Sequence, residues 1–263
     1  MSLQIPEERK LKLISQEGWF NQNEKDAMPK NHIVKSYDED LTHLKDTLFS
    51  MAHLVQEQFR EALLSLEKQD KSLAKKLIAR DEEIDKLEIL IDRISLQILA
   101  LRQPVAFDLR LVIAALKMAN HLERMGDYAT NIARRVLVLE EMPSLLVEPF
   151  LSIFRMGDLI RSMMIFVNDG FRTQNQEVME QVWQDDQKVD QLYGALLREL
   201  LAAMVKEPES ISLCTHYLFI AKNIERVGDH VTNLGEIVTV MVRGKPLKEM
   251  RRRPIEETIP KKL

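Results

Sequence analysis

Apolar side chains between residues 108 and 140 recur in alternating steps of four and three. They are Leu111, Ala115, Met118, Leu122, Met125, Ala129, Ile132, Val136 and Leu139. This spacing puts one continuous apolar stripe on an α-helix and is typical of helices that pack nearly parallel to one another in a bundle. Because Pro104 would break a helix just before the stripe, the pattern predicts a long helix over Asp108–Glu140.

The same stripe returns 102 residues further along the chain. Its members are Leu213, Tyr217, Ile220, Ile224, Val227, Val231, Leu234, Val238 and Met241. The two preceding helices of each half match at a shift of 105 residues, and in the first half we predict them over Tyr37–Leu66 and Lys71–Leu101. The chain is therefore predicted to be all-α, with two tandem repeated three-helix bundles at residues 37–142 and 143–243.

Two segments fall outside the duplication. Residues 1–36 form an N-terminal extension whose role the sequence does not reveal. Residues 244–263 form a basic C-terminal tail that contains Arg251, Arg252 and Arg253. A solvated tail and a segment that docks onto an acidic partner are both open interpretations of this tail.

Composition narrows the functional class. The chain has 263 residues with only 8 Gly and 9 Pro, which fits long helices, and its net charge of -4 argues against binding to nucleic acid. The single Cys214 forms no internal disulfide and fits a reducing compartment. No apolar run approaches the ~18 residues of a membrane span, so we expect a cytoplasmic protein without direct membrane insertion.

The two long stripe helices share an acidic segment, at residues 123–131 and 225–233. Six of the nine aligned positions are identical, and in each segment Glu, Asp and Asn follow one another at intervals of four along one helix face. The glutamates Glu123 and Glu225 stand in rows of otherwise small or apolar residues. A half-buried charge of this kind must be paired, protonated or bound to a cation.

Hairpin geometry brings further carboxylates to these faces, since residues equidistant from the turn lie level with one another. Centring the first hairpin on residue 104 and the second on 207.5 defines two groups of four. The first acidic set is Asp81, Asp85, Glu123 and Asp127; the second acidic set is Asp186, Asp190, Glu225 and Asp229. Each set would repel itself unless cations intervened.

Two interpretations of these sets stay open. Clustered carboxylate oxygens favour hard or borderline cations, and Mg, Mn, Fe, Zn or Ca are candidates. Alternatively, Arg124, Arg226 and nearby lysines neutralise the acids in ion pairs. A glycine follows each glutamate by three residues, at Gly126 and Gly228, and suggests close approach of another backbone or a ligand.

Other candidate chemistry is weaker. His121 and His230 flank the acidic segments without occupying equivalent repeat positions, so we expect surface or packing roles for them. The chain shows no Walker loop, nucleophile elbow or Glu-x-x-His pattern. The sequence therefore shows no catalytic nucleophile or paired acid and base. A metal-dependent phosphohydrolase and a purely structural metal-binding helical bundle stay open as alternatives.

At these residues the sequence resembles the PhoU family of bacterial phosphate-transport regulators. The resemblance covers residues 38–243 and rests on ERMGD (123–127), ERVGD (225–229), RQPVAFDLRLV (102–112) and DDQKVDQLY (185–193). It implies the six-helix fold of two three-helix bundles with metal at the paired acidic motifs. The metal ligands implied are Asp81, Asp85, Glu123, Asp127, Asn131, Asp186, Asp190, Glu225, Asp229 and Asn233.

The resemblance also implies a function. Such a protein would be a cytoplasmic regulator, peripheral to the inner membrane through its partners. Those partners would be the ATPase subunit of the phosphate ABC transporter and a phosphate-sensing histidine kinase, which it would keep inactive when phosphate is plentiful. A homodimer is expected.

Overall fold

A computed structural model describes residues 30–139, 146–175 and 177–245. The helices are α1 (Lys30–Glu67), α2 (Lys71–Arg102), α3 (Ala106–Val136), α4 (Val147–Thr173), α5 (Val178–Lys206) and α6 (Ile211–Arg243). A short 3-10 turn, Pro208–Ser210, precedes α6. No strand occurs in these ranges, and the predicted all-α fold of two three-helix repeats is confirmed.

The predicted helix ends need small corrections. The first helix begins at Lys30 rather than Tyr37. The helix predicted over Asp108–Glu140 runs over Ala106–Val136, because the backbone tightens after Val136 and Val138 N–H donates to the Arg135 carbonyl at 3.1 Å. Of the predicted flanking segments, residues 1–29 and 246–263 lie outside the described residues.

Local sequence explains the hairpin turns. The Asp70 side chain caps α2 by accepting from the backbone N–H groups of Ser72 and Leu73, both at 2.9 Å. The helix ends where Gln103 adopts a left-handed backbone, φ 49°, directly before Pro104. The α2–α3 turn therefore falls where the centring on residue 104 requires it.

Helices α3 and α6 run antiparallel through the middle of the described fold. His121 contacts His230, Arg110 contacts Met241, and Arg135 contacts His216. The two residue numbers of each pair have their midpoint between 175 and 176. The two repeats are therefore related by an approximate twofold axis where they pack together. All nine predicted stripe residues of the first repeat are buried, eight of them in α3 and Leu139 just after it. Eight of the nine in α6 are also buried, and Leu213 in its first turn is half-buried.

Contacts group residues 40–263 into one compact unit and residues 1–39 into another, of which only the start of α1 is described. Within the larger unit, α2 packs on α3, and α4 and α5 pack on α6. Helix α1 meets α4 where the rings of Phe49 and Phe171 lie 5.4 Å apart. In the described part of the chain no helix is long and apolar enough to cross a membrane.

Candidate functional site

The structure brings the first acidic set together on the α2–α3 hairpin. Glu123 has a side chain only 17% exposed, and burial raises its pKa to about 7, with Asp127 and Asp85 adding to the effect and Arg124 opposing it. Burial also raises the pKa of Asp81, and the nearby Asp127 and Asp85 raise it further. Asp127 and Asp85 therefore lie close enough to Glu123 and Asp81 to oppose the ionisation of those two groups.

A fifth carboxylate, Glu88, joins this group and was missed from the sequence. Burial raises its pKa, its side chain accepts a long 3.5 Å hydrogen bond from Asn120, and its charge raises the pKa of Glu123. Its position was predictable, since Glu88 and Asn120 are centred on residue 104 like the other opposed pairs. Unlike those pairs, however, this pair places an acid opposite an amide and not opposite a second acid.

Cationic side chains offset part of this charge. Arg124 lies 3.4 Å from Glu123 and 3.3 Å from Asp127, while Arg134 donates to the Asn131 side-chain oxygen at 2.8 Å. Both ion pairs that Arg124 forms face solvent, because its side chain is 53% exposed. Exposed pairs of this kind contribute at most ~1 kcal/mol, so they leave the repulsion within the set only partly compensated.

A buried polar network lies beneath the first acidic set. The fully buried Gln58 of α1 donates to the Leu77 carbonyl at 2.8 Å and to the Thr130 hydroxyl at 3.0 Å, and it accepts from Arg80 Nε at 2.8 Å. Thr130 in turn hydrogen-bonds Asp81 and so lowers the pKa that burial raises. This network holds α1, α2 and α3 in register behind the carboxylates.

The second acidic set is compensated differently. Glu225, 14% exposed, forms an ion pair with Lys222 one helical turn earlier on α6. Asp186 is buried, at 8% exposed, whereas Asp190 and Asp229 are exposed and Asn233 is half-buried. The repeats therefore carry the same acids in different electrostatic surroundings.

Thr232 is the repeat equivalent of Thr130, but the equivalent of Gln58 is Met163. Met163 is buried and offers no amide, and the buried Thr232 hydroxyl has no hydrogen-bond partner among the described residues. The first repeat therefore satisfies this threonine with a buried amide, whereas the second repeat leaves the equivalent hydroxyl unpaired in the described part of the chain.

The donor chemistry of both sets fits a hard divalent cation. In the described ranges, however, no three His, Cys, Asp or Glu side chains converge in a geometry that holds one metal ion. The carboxylates of the first set would have to rotate toward a common point to bind one. Burial, and after it the charges of Asp127 and Asp85, raise the pKa values of Glu123 and Asp81, and a cation would relieve the part that comes from charge repulsion.

The two histidines lie together between the repeats. His121 Nδ1 and His230 Nδ1 are 2.8 Å apart, and the His230 ring also contacts Tyr128. Burial lowers both pKa values, that of His230 to about 4 with help from His121, Arg124 and Arg226. One neutral imidazole thus donates to the other, and the predicted packing role becomes a specific contact between α3 and α6.

The two glycines differ in their surroundings, and the expected approach of another backbone is wrong for both, because the nearest atoms belong to side chains. A Cβ at Gly126 would lie 2.8 Å from Ile84 Cδ1, so a side chain of α2 occupies that space. A Cβ at Gly228 would meet Ile160 at an ordinary 3.4 Å. The need for glycine is therefore a packing need in the first repeat and weak in the second.

The fold and the acidic faces define a class of helical protein built from two copies of a three-helix unit. A family model described as the PhoU domain matches residues 48–136 and 153–238. The chain belongs to the PhoU family.

Its relatives are similar over most of their length. The phosphate-specific transport system accessory protein PhoU homolog of Caulobacter vibrioides (strain NA1000 / CB15N) is 40% identical over 220 residues, 84% of this chain and 95% of the relative. That of Zymomonas mobilis is 41% identical over 87% of this chain and 95% of the relative. The crystal structure of PhoU from Pseudomonas aeruginosa matches with a TM-score of 0.75 and 33% identity, covering 80% of this chain and 100% of that one.

Proposed function

We propose that this protein regulates phosphate uptake and phosphate-starvation signalling as an adaptor rather than as an enzyme. It binds the ATPase subunit of a phosphate ABC transporter and a phosphate-sensing histidine kinase, and it holds the kinase inactive when phosphate is abundant. It acts in the cytoplasm as a homodimer, peripheral to the inner membrane through these partners. The observation that carries the proposal is family membership, since relatives matched over 95% of their length are named accessory proteins of phosphate-specific transport.

The physical requirement for such an adaptor is unequal affinity. A regulator that binds two states of a partner equally well transmits nothing between them. The two repeats offer related but unequal faces, because Glu123 lies among other carboxylates while Glu225 is paired with Lys222. This difference supports the binding of two different partners by one duplicated scaffold.

Co-purification tests the adaptor role. Full-length tagged protein is isolated from phosphate-replete and from phosphate-starved cells, and the retained proteins are identified by mass spectrometry. We expect the transporter ATPase and the kinase in both samples, in proportions that change with phosphate supply. Retention of neither protein under gentle conditions contradicts the proposal.

Metal binding at the acidic sets is a separate part of the proposal. The ligands would come from Asp81, Asp85, Glu123, Asp127 and Asn131 in the first repeat and from Asp186, Asp190, Glu225, Asp229 and Asn233 in the second. A bound divalent or iron-type cation would neutralise the clustered carboxylates and brace each hairpin. The raised pKa values of Glu123 and Asp81 support it.

Elemental analysis tests the metal proposal independently of any partner. The double variant Glu123→Gln and Asp127→Asn is compared with Glu82→Gln and Glu83→Gln, which removes the same charge from exposed positions of α2. We expect the first variant to lose at least half of the bound metal and the control to keep it. Equal metal content in all three proteins rejects the assignment.

A further inference from the structure

A groove of about 500 Å³ runs between the first half of α3 and the last half of α6. Its apolar lining comes from Leu109, Ile113, Ala114, Ile237, Val240 and Met241. Leu109 and Ile113 are 39% and 38% exposed, which is high for residues that belong to an apolar depression. A volume of this size accommodates several side chains of a docked segment.

The fold itself does not demand this opening, because the equivalent space at the other end of the α3–α6 pair is filled. There the Arg135 guanidinium lies 4.4 Å from the centre of the Phe219 ring and 3.4 Å from His216 Nδ1. A shift of 102 residues relates Arg135 to Ile237 and relates Ala114 to His216. The groove is thus open because smaller side chains stand where the other repeat places a stacked arginine and a histidine.

The chain leaves α6 at the rim of the groove. Arg110, which lines the groove, donates from Nε to the Met241 carbonyl at 2.8 Å. Its guanidinium also packs against Gly244, where a Cβ would lie 3.3 Å from Arg110 Cζ. Gly244 ends the helix with a left-handed backbone, φ 69°, which turns the chain away from the helix axis.

The sequence beyond Lys245 is long enough and apolar enough to cover the groove. Residues 246–263 read PLKEMRRRPIEETIPKKL and include the apolar residues Leu247, Met250, Ile255 and Ile259. From Leu109 to His121 the groove follows α3 for about 18 Å at 1.5 Å per residue. About six extended residues span that distance, and the segment has three times as many.

We propose that residues 246–263 dock into this groove in their own chain, with Leu247 and Met250 against its apolar floor. The groove lining carries Arg110, Lys117 and Glu236, and the segment carries both acids and bases, so each charge of the lining has an opposite charge available in the segment. Docking withdraws Leu109 and Ile113 from water, and burial of apolar surface drives it. Any partner that binds the first turns of α3 then competes with the segment.

Cross-linking tests the proposal in the full chain. Lys117→Cys on the rim is combined with Lys248→Cys and treated with a short bismaleimide. The control combines Thr215→Cys, at the opposite end of the α3–α6 pair, with the same Lys248→Cys. Residue 215 lies about 42 Å along α6 from the C-terminal end of that helix. Residue 248 of the same chain therefore cannot reach residue 215. The native Cys214 is buried, and the reaction of wild-type protein with the bismaleimide measures the background from this cysteine.

We expect the pair of Lys117→Cys and Lys248→Cys to cross-link within one chain. Its rate should be at least ten times the rate of any cross-linking in the control pair. Adding Leu247→Glu should slow the reaction severalfold, whereas Thr258→Glu should not. Equal rates with and without Leu247→Glu mean that the segment is merely tethered nearby, and they overturn the proposal. Cross-links only between two chains also overturn it, because the occupant is then a second copy.

Discussion

Glu123 is the carboxylate whose ionisation should most weaken the folded protein. Its pKa is about 7 in the folded chain, against 4.5 as the ordinary value, because of burial and of Asp127, Glu88 and Asp85. Between these two pH values the folded state keeps a proton that the unfolded state releases. Stability therefore falls as pH rises through this window and levels off above it.

The magnitude follows from the same interval. At 1.36 kcal/mol per pH unit, the interval from 4.5 to about 7 corresponds to roughly 3 kcal/mol. Because part of the side chain reaches solvent and Arg124 can reorient, we expect about 1–2 kcal/mol in practice. The variant Glu123→Gln removes the charge and keeps the shape. Both proteins are measured in the presence of a metal chelator. The free energy of unfolding of Glu123→Gln should equal that of wild type near pH 5 and exceed it by about 1–2 kcal/mol at pH 8.

Urea denaturation at pH 5, 6, 7 and 8 measures this difference, and groups common to both proteins cancel. The matched control is Glu225→Gln. Glu225 has the equivalent position but is paired with Lys222, so its replacement should produce a small loss of about 0–1 kcal/mol and no gain at high pH. A difference between Glu123→Gln and wild type that stays constant from pH 5 to pH 8 would refute the reasoning.

Two further predictions concern packing. Gly228→Ala should raise the free energy of unfolding by up to about 1 kcal/mol through helix propensity. Gly126→Ala should raise it less, or lower it, because Ile84 must move. Urea midpoints that rank the two variants in the opposite order contradict this prediction. Gln58→Leu should cost about 1–3 kcal/mol by leaving buried partners unpaired, against less than about 1.5 for Met163→Leu at the equivalent position. Equal losses in thermal or urea unfolding would show that the Gln58 hydrogen bonds contribute little.

The helical fold, its duplication and the buried stripes could all be predicted from the sequence. Apolar periodicity depends only on the pitch of the helix, and the turn at Pro104 sets which residues of α2 and α3 lie level. For this reason Asp81, Asp85, Glu123 and Asp127 could be grouped before any coordinates. The same rule places Glu88 level with Asn120, so its position on this face is also encoded in the sequence.

How the repeats meet, and how deeply their charged residues are buried, depends on packing between segments that are distant in the chain. The antiparallel register that pairs His121 with His230 depends on the fit of two distant helix surfaces, which no local pattern encodes. The pairing of Glu225 with Lys222 is local, since Asn120 stands at the equivalent position before Glu123. The burial of Glu123 among carboxylates of α2, by contrast, depends on how the helices pack. Burial and charge at a position are sums over everything packed around it, so identical motifs in two repeats acquire different chemistry.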